Sequence, residues 1–255
     1  MEYVNLHKIS ATLSGLKEKW NNAKPFRYLV IDGFLHPDKA DEAYKAYPDL
    51  TSLDWDNTTY INQKNKFQKR DFEADSFYDL LFKELNSEEF LKTIEDITGI
   101  RSLLPDRSLF GGGLHQSVKG AFLDIHIDYN IHPETKKHRR LNILIYLNQD
   151  WRPEYNGDLE LWDMKKKKCI EKIHPDFNRC VIFETNNISF HGHPRPLNTP
   201  DSVSRKSIAA YYYTATRPRD EIKNEHSTIY VNVNGLNGLV KNLKAGFLAL
   251  KERLT

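Results

Sequence analysis

Residues 121–130 read AFLDIHIDYN, and this stretch decides both the fold and the chemistry that the chain can support. Its apolar residues alternate with His126 and Asp128, which is the period-two pattern of a β-strand. Side chains two residues apart on a strand point to the same face, so the imidazole and the carboxylate project together. Such a pair supplies two of the three ligands of a two-histidine, one-carboxylate site, which leaves open positions on a divalent iron ion.

The third ligand has to come from a distant segment, and His191 in the sequence ISFHGHP is the candidate. It follows a second β-rich segment at residues 180–183. His193 shares its face if the strand continues, so the residue pattern alone leaves both histidines open. A His-x-Asp triplet also occurs by chance, and the metal-site interpretation therefore depends on other features of the chain.

One such feature is the sequence SRKS at residues 204–207, which opens a strand-like run over residues 208–213. Arg205 and Ser207 lie two residues apart and share one face of that strand. A guanidinium group is a planar fork of donors that suits a carboxylate, and the nearby hydroxyl adds a further donor. The alternative interpretation is an arginine in a surface ion pair.

Together these segments resemble the iron(II)- and 2-oxoglutarate-dependent dioxygenases, in particular their prolyl 4-hydroxylase-like branch. The segments that carry the resemblance occur in the order expected for that family: His126-Ile127-Asp128, RLNILIYLN at 140–148, GDLELW at 157–162, His191 and Arg205-Lys206-Ser207. A looser similarity runs from Phe26 to Thr214. The resemblance favours His191 over His193, because in that family the ligand directly follows the apolar strand and precedes a Gly-x-Pro turn.

The resemblance implies a mainly β fold with flanking helices around a double-stranded β-helix core, a jelly roll of the cupin-like type. It also implies Fe(II) as the metal, with 2-oxoglutarate and O2 as cosubstrates. Arg205 would then bind the distal carboxylate of 2-oxoglutarate, with the hydroxyls of Tyr146 and Ser207 as partners. A buried carboxylate needs such a charged and hydrogen-bonding complement. For Tyr146, a role in core packing is the alternative.

The activity implied by the resemblance is hydroxylation of an unactivated C–H bond, first of all in a prolyl residue of a protein or peptide, with release of succinate and CO2. A free amino acid or a small-molecule natural product is the alternative acceptor, because fold and cofactor site do not determine the acceptor. A different functional class is a non-catalytic cupin-like protein that binds a metal or a ligand. Five residues are candidates for the substrate-side wall, each with a packing role as the alternative: Tyr129, Asn130, Trp162, His193 and Tyr211.

The composition is that of a globular protein, since 39% of the 255 residues are hydrophobic and 12% are aromatic. The 37 basic and 35 acidic residues nearly balance, so the charge does not favour general affinity for nucleic acid or membranes. No apolar run approaches the roughly 18 residues that a transmembrane helix needs. Cys169 and Cys180 lack the spacing of a metal cluster, and with no recognisable secretory leader they favour a cytoplasmic location as the expectation.

We expect a single catalytic domain over residues 1–255, with an N-terminal strand and supporting helices at 1–100, the jelly-roll core at 101–216 and a helical tail at 217–255. The tail would pack on the barrel or pair with a second copy in a homodimer, since its leucines recur at helical intervals.

Three polar segments have no clear apolar periodicity. Residues 50–70 are expected to form a surface loop or hairpin over the mouth of the site. Residues 132–139 are expected to form a solvated loop, although a substrate contact is the alternative. The four lysines at 165–168 are expected at a solvated hairpin tip, and not in a nucleic-acid site.

Overall fold

The computed structural model describes residues 1–52, 55–57, 59–221, 224–231 and 233. Within them, the α-helices are α1 (Leu6–Ala11), α2 (Leu13–Asn22), α3 (Pro37–Lys45), α4 (Phe77–Leu85) and α5 (Glu88–Thr98). The strands are β1 (Tyr28–Asp32), β2 (Asp56–Asn57), β3 (Gln63–Lys69), β4 (Leu104–Pro105), β5 (Gly113–Ile127), β6 (His138–Tyr146), β7 (Leu159–Asp163), β8 (Lys168–Ile173), β9 (Arg179–Glu184), β10 (Phe190–His193), β11 (Arg205–Thr214) and β12 (Ile229–Tyr230).

The long strand β5 is shared by two parts of an antiparallel sheet. Its first half pairs with β11, where Ser117 faces Arg205, and its second half pairs with β10, where His126 faces His191. The strand order is β1-β9-β6-β11-β5 on one side and β5-β10-β7-β8 on the other. This curled, mainly β arrangement with flanking helices confirms the predicted double-stranded β-helix core.

The N-terminal helices pack against the sheet that carries Arg205. Helix α5 begins at its N-cap Ser87, whose hydroxyl accepts a hydrogen bond from the amide of Phe90 at 3.3 Å, and ends at Gly99 with φ 74°. The sequence predicts both caps, because Ser87 and Gly99 flank the helical apolar spacing of residues 87–98. The ring of Phe90 lies 6.2 Å from the ring of Tyr212 on β11, so the buried face of α5 supports that strand.

The apolar spacing of residues 3–21 predicts one helix, but the structure has two. The chain bends at Thr12, whose hydroxyl donates to the carbonyls of Lys8 and Ile9 at the end of α1. A threonine hydroxyl that bonds back to the preceding turn competes with helix continuation. The bend places Ile9 and Trp20 in the same hydrophobic core.

The three polar segments at residues 50–70, 132–139 and 165–168 adopt different structures. Residues 56–57 and 63–69 form a β-hairpin, so the hairpin alternative is confirmed, and β3 also pairs with β5. The prediction of a solvated loop at residues 132–139 is wrong at both ends, because His132 is 2% exposed and Arg139 is 1% exposed. Residues 164–167 form the exposed turn between β7 and β8, as expected for the lysine run.

The C-terminal helix predicted within residues 217–255, and with it the predicted dimer contact, lies outside the described residues. Among the helices that the structure does describe, none has the length and apolarity needed to cross a bilayer.

Candidate active site

Strands β5 and β10 bring the two predicted histidines together beside the predicted carboxylate. One potential ligand atom from each of His126, Asp128 and His191 lies within 4.8 Å of the others. The Nε2 atom of His126 is 3.7 Å from Oδ1 of Asp128, and Nε2 of His191 is 3.6 Å from Oδ2. The three side chains are largely buried and line one cavity of about 90 Å³.

The backbone orients both imidazoles toward the point where the three groups meet. Nδ1 of His126 lies 2.8 Å from the carbonyl oxygen of Asp124, and Nδ1 of His191 lies 2.8 Å from that of Ser189. A carbonyl can only accept, so each Nδ1 carries the proton and each Nε2 presents a lone pair. This tautomer is the one that a metal-binding imidazole needs, and the donor set of two imidazoles and a carboxylate suits a divalent transition metal.

The carboxylate of Asp128 is held by two groups from β6. Its Oδ2 atom accepts a hydrogen bond from Nδ2 of Asn142 at 2.7 Å and lies 3.3 Å from Nη2 of Arg139. Nε of Arg139 donates to Oδ1 of Asn142 at 2.9 Å, which joins the three side chains. Burial opposes ionisation of Asp128, but Arg139 and the two histidines outweigh it and hold its pKa well below the usual range.

Arg139 is itself enclosed by aromatic rings. Its guanidinium carbon is 3.6 Å from the ring centroid of Tyr211 and 4.5 Å from that of Tyr129. The flat guanidinium group is well suited to stack between two rings. Sequence analysis did not identify Arg139 or Asn142 as site residues. Counting back in steps of two from Tyr146 reaches Asn142, which lines the cavity, so that residue could have been found by alternation along the strand.

Replacing Arg139 with leucine is expected to lower the free energy of unfolding of the metal-free protein by about 3 to 5 kcal/mol, because Asp128 would remain buried without its cation. Urea denaturation at pH 7 measures this change. Arg101→Leu is the matched control, since Arg101 forms an ion pair of 2.9 Å with Asp96 on the surface. Equal stability losses in the two variants would contradict the assigned role of the buried pair.

Arg205 lines the same cavity, and its guanidinium is held by two hydrogen bonds. Its Nε donates to the carbonyl of Gly157 at 2.8 Å, and its Nη2 donates to the hydroxyl of Tyr146 at 3.2 Å. Ser207 follows on the same face and also lines the cavity. Among the described residues, no carboxylate forms an ion pair with Arg205, although this side chain is 7% exposed. A buried cation of this kind requires an anionic partner.

Lys66 adds a second cation to the cavity wall and strengthens its preference for an anion. Lys66 reaches the cavity from β3, and burial, together with the charges of Arg205 and Arg139, lowers its pKa to about 8 in spite of the opposing effect of Asp128. His115 also lines the cavity, and because burial lowers its pKa well below the usual range, it is uncharged at neutral pH. The cavity wall therefore combines a metal-type ligand set with the cationic side chains of Arg205 and Lys66.

The buried histidines predict acid sensitivity of the metal-free protein. Burial, followed by the charge of His126, lowers the pKa of His191 to about 4, and burial also lowers the pKa of His115 and of His193. In the unfolded chain a histidine titrates near 6.5, so the folded-state pKa is depressed. The stability is therefore complete above pH 6.5 and is lost as the pH falls toward 4.

For His191 alone, the expected loss is on the order of 2 to 3 kcal/mol between pH 6.5 and pH 4. Urea denaturation in EDTA across this range measures it. His193→Leu should flatten the profile because it removes one buried titrating group, whereas the substitution of exposed His7 by leucine should leave the profile unchanged. A profile that is flat in the unsubstituted protein would contradict this prediction.

The predicted substrate-side residues fall into two groups. His193 and Tyr211 line the cavity. His193 also borders a second, smaller cavity of about 80 Å³. Tyr129, Asn130 and Trp162 are not among the residues that line the main cavity. Tyr129 shares a hydrogen bond with Tyr213, and the indole of Trp162 donates to Glu160. Contact of any of the five with substrate stays a prediction.

Comparison with known proteins identifies a related family over the core of the chain. A sequence profile of the 2OG-Fe(II) oxygenase superfamily matches residues 112–213. Over 228 residues the chain is 25% identical to prolyl 3-hydroxylase OGFOD1 of Mus musculus, and this alignment covers 82% of the chain and 39% of the mouse protein. The chain thus spans about two fifths of the length of that curated relative.

Solved structures of similar fold include a prolyl hydroxylase from Trichoplax adhaerens, in complex with a peptide of a hypoxia inducible factor oxygen degradation domain. The TM-score is 0.58 at 16% identity, over 82% of this chain and 91% of the other. A prolyl 4-hydroxylase structure from Phytophthora capsici gives a TM-score of 0.57 at 19% identity, over 94% of this chain and 75% of the other. At these identities the similarity is one of fold.

Proposed function

Because a profile of the 2OG-Fe(II) oxygenase superfamily matches residues 112–213, we propose that the chain belongs to this superfamily and is a dioxygenase that hydroxylates an unactivated C–H bond, with a prolyl residue of a protein or peptide as the first acceptor class. In the overall reaction, 2-oxoglutarate, O2 and the acceptor give succinate, CO2 and the hydroxylated acceptor. The observation that carries the proposal is one cavity that is lined both by the His126, Asp128 and His191 cluster and by buried Arg205, which forms no ion pair with a carboxylate of the described residues.

In this proposal, the Nε2 atoms of His126 and His191 and one carboxylate oxygen of Asp128 hold Fe(II). Bound iron would supply the redox chemistry that couples O2 to the decarboxylation of 2-oxoglutarate. The contacts of Asn142 and Arg139 with Oδ2 of Asp128 leave Oδ1 as the better placed ligand atom. A ligand set of two histidines and one carboxylate would leave positions on the bound ion open for cosubstrates.

Arg205 is proposed to bind the distal carboxylate of 2-oxoglutarate. The hydrogen bonds to Gly157 and Tyr146 fix the guanidinium before any ligand arrives, which limits the conformational entropy lost on binding. Burial raises the pKa of Tyr146, although Arg205 opposes this, so its hydroxyl keeps its proton at neutral pH and can donate to a carboxylate. Ser207 is a second hydroxyl in the same wall.

The proposal is tested first by cosubstrate binding. Fe(II) and 2-oxoglutarate added under anaerobic conditions should give the weak visible charge-transfer band of the chelate. A colourless mixture without 2-oxoglutarate binding would favour the alternative of a non-catalytic cupin-like binding protein.

The acceptor is tested by succinate release with a panel of proline-containing peptides. The matched control is the same panel with alanine in place of proline, and free proline is a third arm. Succinate above the acceptor-free background, together with a mass increase of one oxygen atom on the proline peptides only, is the expected result. Turnover of free proline alone would instead support the alternative of a free amino acid or small-molecule hydroxylase.

We also propose that residues 1–255 act as one catalytic domain, because the helices and strands before residue 101 contribute to the same sheet and core as the strands after it. A cytoplasmic location is a proposal supported by the two free cysteines. A homodimer is proposed only from the leucine spacing of the C-terminal tail, and light scattering of the full chain tests it.

A further inference from the structure

The edge of β5 beside the candidate metal site is covered by two separate segments placed end to end. Strand β3 pairs along this edge as far as Gln63 opposite Leu123. Beyond Leu123, β12 pairs with the same edge of β5, with Tyr230 opposite His126 and Ile229 opposite Ile127. We call residues 224–231 the tail strand. The other edge of β5 is paired with β10 at this level, so the tail strand occupies the one position beside His126 from which an added strand could approach.

The contacts that hold the tail strand, among the described residues, are mainly hydrogen bonds. The amide of Val231 donates to the carbonyl of Ile125 at 2.8 Å. At the other end, the side chain of Asn130 donates to the carbonyl of Asn224 and accepts from the amide of His226, both at 2.9 Å. Exposed Lys136 and Glu225 form an ion pair of 3.1 Å. Ile229 stays 43% exposed, so the partly buried ring of Tyr230 provides most of the apolar contact of this segment.

The register directs one side chain of the tail strand toward the site. Residues that face each other in an antiparallel pair project to the same face of the sheet, so the residue opposite His126 points where His126 points. The Tyr230 ring accordingly lies 5.4 Å from the His126 ring. Burial raises the pKa of Tyr230 to about 12, and the charge of Asp128 adds to this effect, as expected for a ring close to the ligand set.

We propose that the β5 edge from Ile125 to Asn130 is the docking site of an extended polypeptide acceptor, which pairs with it as an antiparallel strand after displacing the tail strand. This inference rests on the proposed hydroxylase function and specifies its acceptor. The tail strand shows that an extended backbone fits this edge and that the side chain opposite His126 comes to lie beside the His126 ring. Main-chain pairing would provide affinity, as in other cases of strand addition.

The register also suits proline at the reacting position. Val231 and Ile125 are joined by a ladder hydrogen bond, so the next pair, Tyr230 and His126, is a non-hydrogen-bonded pair. At such a position the amide of the added strand points away from β5. A proline opposite His126 therefore costs no hydrogen bond to the sheet. A proline at either neighbouring position of the added strand would remove a backbone hydrogen bond to β5. The cavity of about 90 Å³ is too small to enclose a polypeptide, so most of a polypeptide acceptor has to lie outside it.

Hydrogen exchange on the full chain tests whether the tail strand detaches. Asn130→Ala removes both side-chain hydrogen bonds to the tail strand. Asn198→Ala is the control, because the side chain of exposed Asn198 also donates to a backbone carbonyl, that of Glu154, which is not part of the tail strand. We expect the amide of Val231 to exchange at least tenfold faster in Asn130→Ala and the amides of β6 to be unchanged. Exchange of Val231 as slow as that of β6 in all three proteins would overturn the proposal.

Steady-state kinetics test whether detachment helps the acceptor. With a proline peptide that is turned over, Glu225→Ala, which removes the ion pair between the tail strand and Lys136, should lower KM for the peptide about twofold at constant kcat, and Asn198→Ala should change neither. A raised or unchanged KM in Glu225→Ala would contradict the displacement model while leaving the hydroxylase proposal intact. If no peptide is turned over although the Fe(II) and 2-oxoglutarate chelate forms, the peptide acceptor is wrong, and this inference is wrong with it.

Discussion

Asp128→Ala is expected to abolish 2-oxoglutarate turnover and to weaken binding of Mn(II), used as a redox-stable probe, by at least about 100-fold. The estimate is a lower limit, because loss of a group that merely orients a metal ligand already costs 10- to 100-fold in affinity. Asp128 occupies the centre of the site, within reach of the Nε2 atoms of both histidines. Isothermal titration calorimetry with Mn(II), together with succinate release, measures the two effects.

Asp128→Ala also leaves Arg139 buried without its carboxylate, so the variant is expected to be less stable. His191→Gln separates the two effects, since this residue is a proposed ligand outside the ion pair. It should lose Mn(II) affinity with a smaller change in unfolding free energy. Asp201→Ala is the surface control, because Asp201 pairs only with exposed Lys119 among the described residues. Unchanged Mn(II) affinity in folded His191→Gln would exclude the proposed ligand set.

Arg205→Leu is expected to raise the 2-oxoglutarate concentration needed for half-maximal turnover by about 30-fold to several thousand-fold. This range corresponds to the roughly 2 to 5 kcal/mol lost when one partner of a buried, hydrogen-bonded charge pair is truncated. The reason is the position of Arg205, which is buried, hydrogen-bonded to Tyr146 and without a carboxylate among the described residues. Succinate release as a function of 2-oxoglutarate concentration measures the shift.

Mn(II) affinity distinguishes this effect from a general disturbance of the site, because Arg205→Leu should leave it near the unsubstituted value. Arg152→Leu is the matched control: Arg152 is exposed and its guanidinium lies 5.9 Å from the ring centroid of Tyr155. An unchanged 2-oxoglutarate requirement in Arg205→Leu would show that the distal carboxylate binds elsewhere, with Lys66 as the next cation in the cavity wall.

The bulge in β6 explains why sequence analysis did not find Arg139. Strict alternation from Tyr146 leads through Asn142 to Arg140, but the β6 register shifts where Leu141 faces Tyr212 and Arg139 faces Tyr213. Arg139 therefore reaches Asp128, while Arg140 lies near Glu184 and Glu221. Two adjacent arginines have the same local chemistry, and only the pairing with β11 determines which of them enters the site.

The contacts of Lys66 and Asn130 also depend on segments that are distant in the chain. Residues 63–69 are strongly polar and show no apolar alternation, yet they form a strand because the edge of β5 offers unpaired backbone groups. Asn130 is near the ligands in sequence, but its side chain bonds residues 224 and 226, which are almost one hundred positions away. A contact between such distant segments has no signature in either segment alone.

The sequence by itself determined the strand that carries His126 and Asp128, the strand that carries Arg205 and Ser207, the capped helix α5 and the mainly β fold, because periodicity and capping are local properties of the chain. The tertiary structure alone decided that His191 approaches Asp128, that Arg139 neutralises this carboxylate, and that residues 224–231 cover the edge of β5. These outcomes depend on strand register and on a bulge, which are set by pairing between segments far apart in the chain.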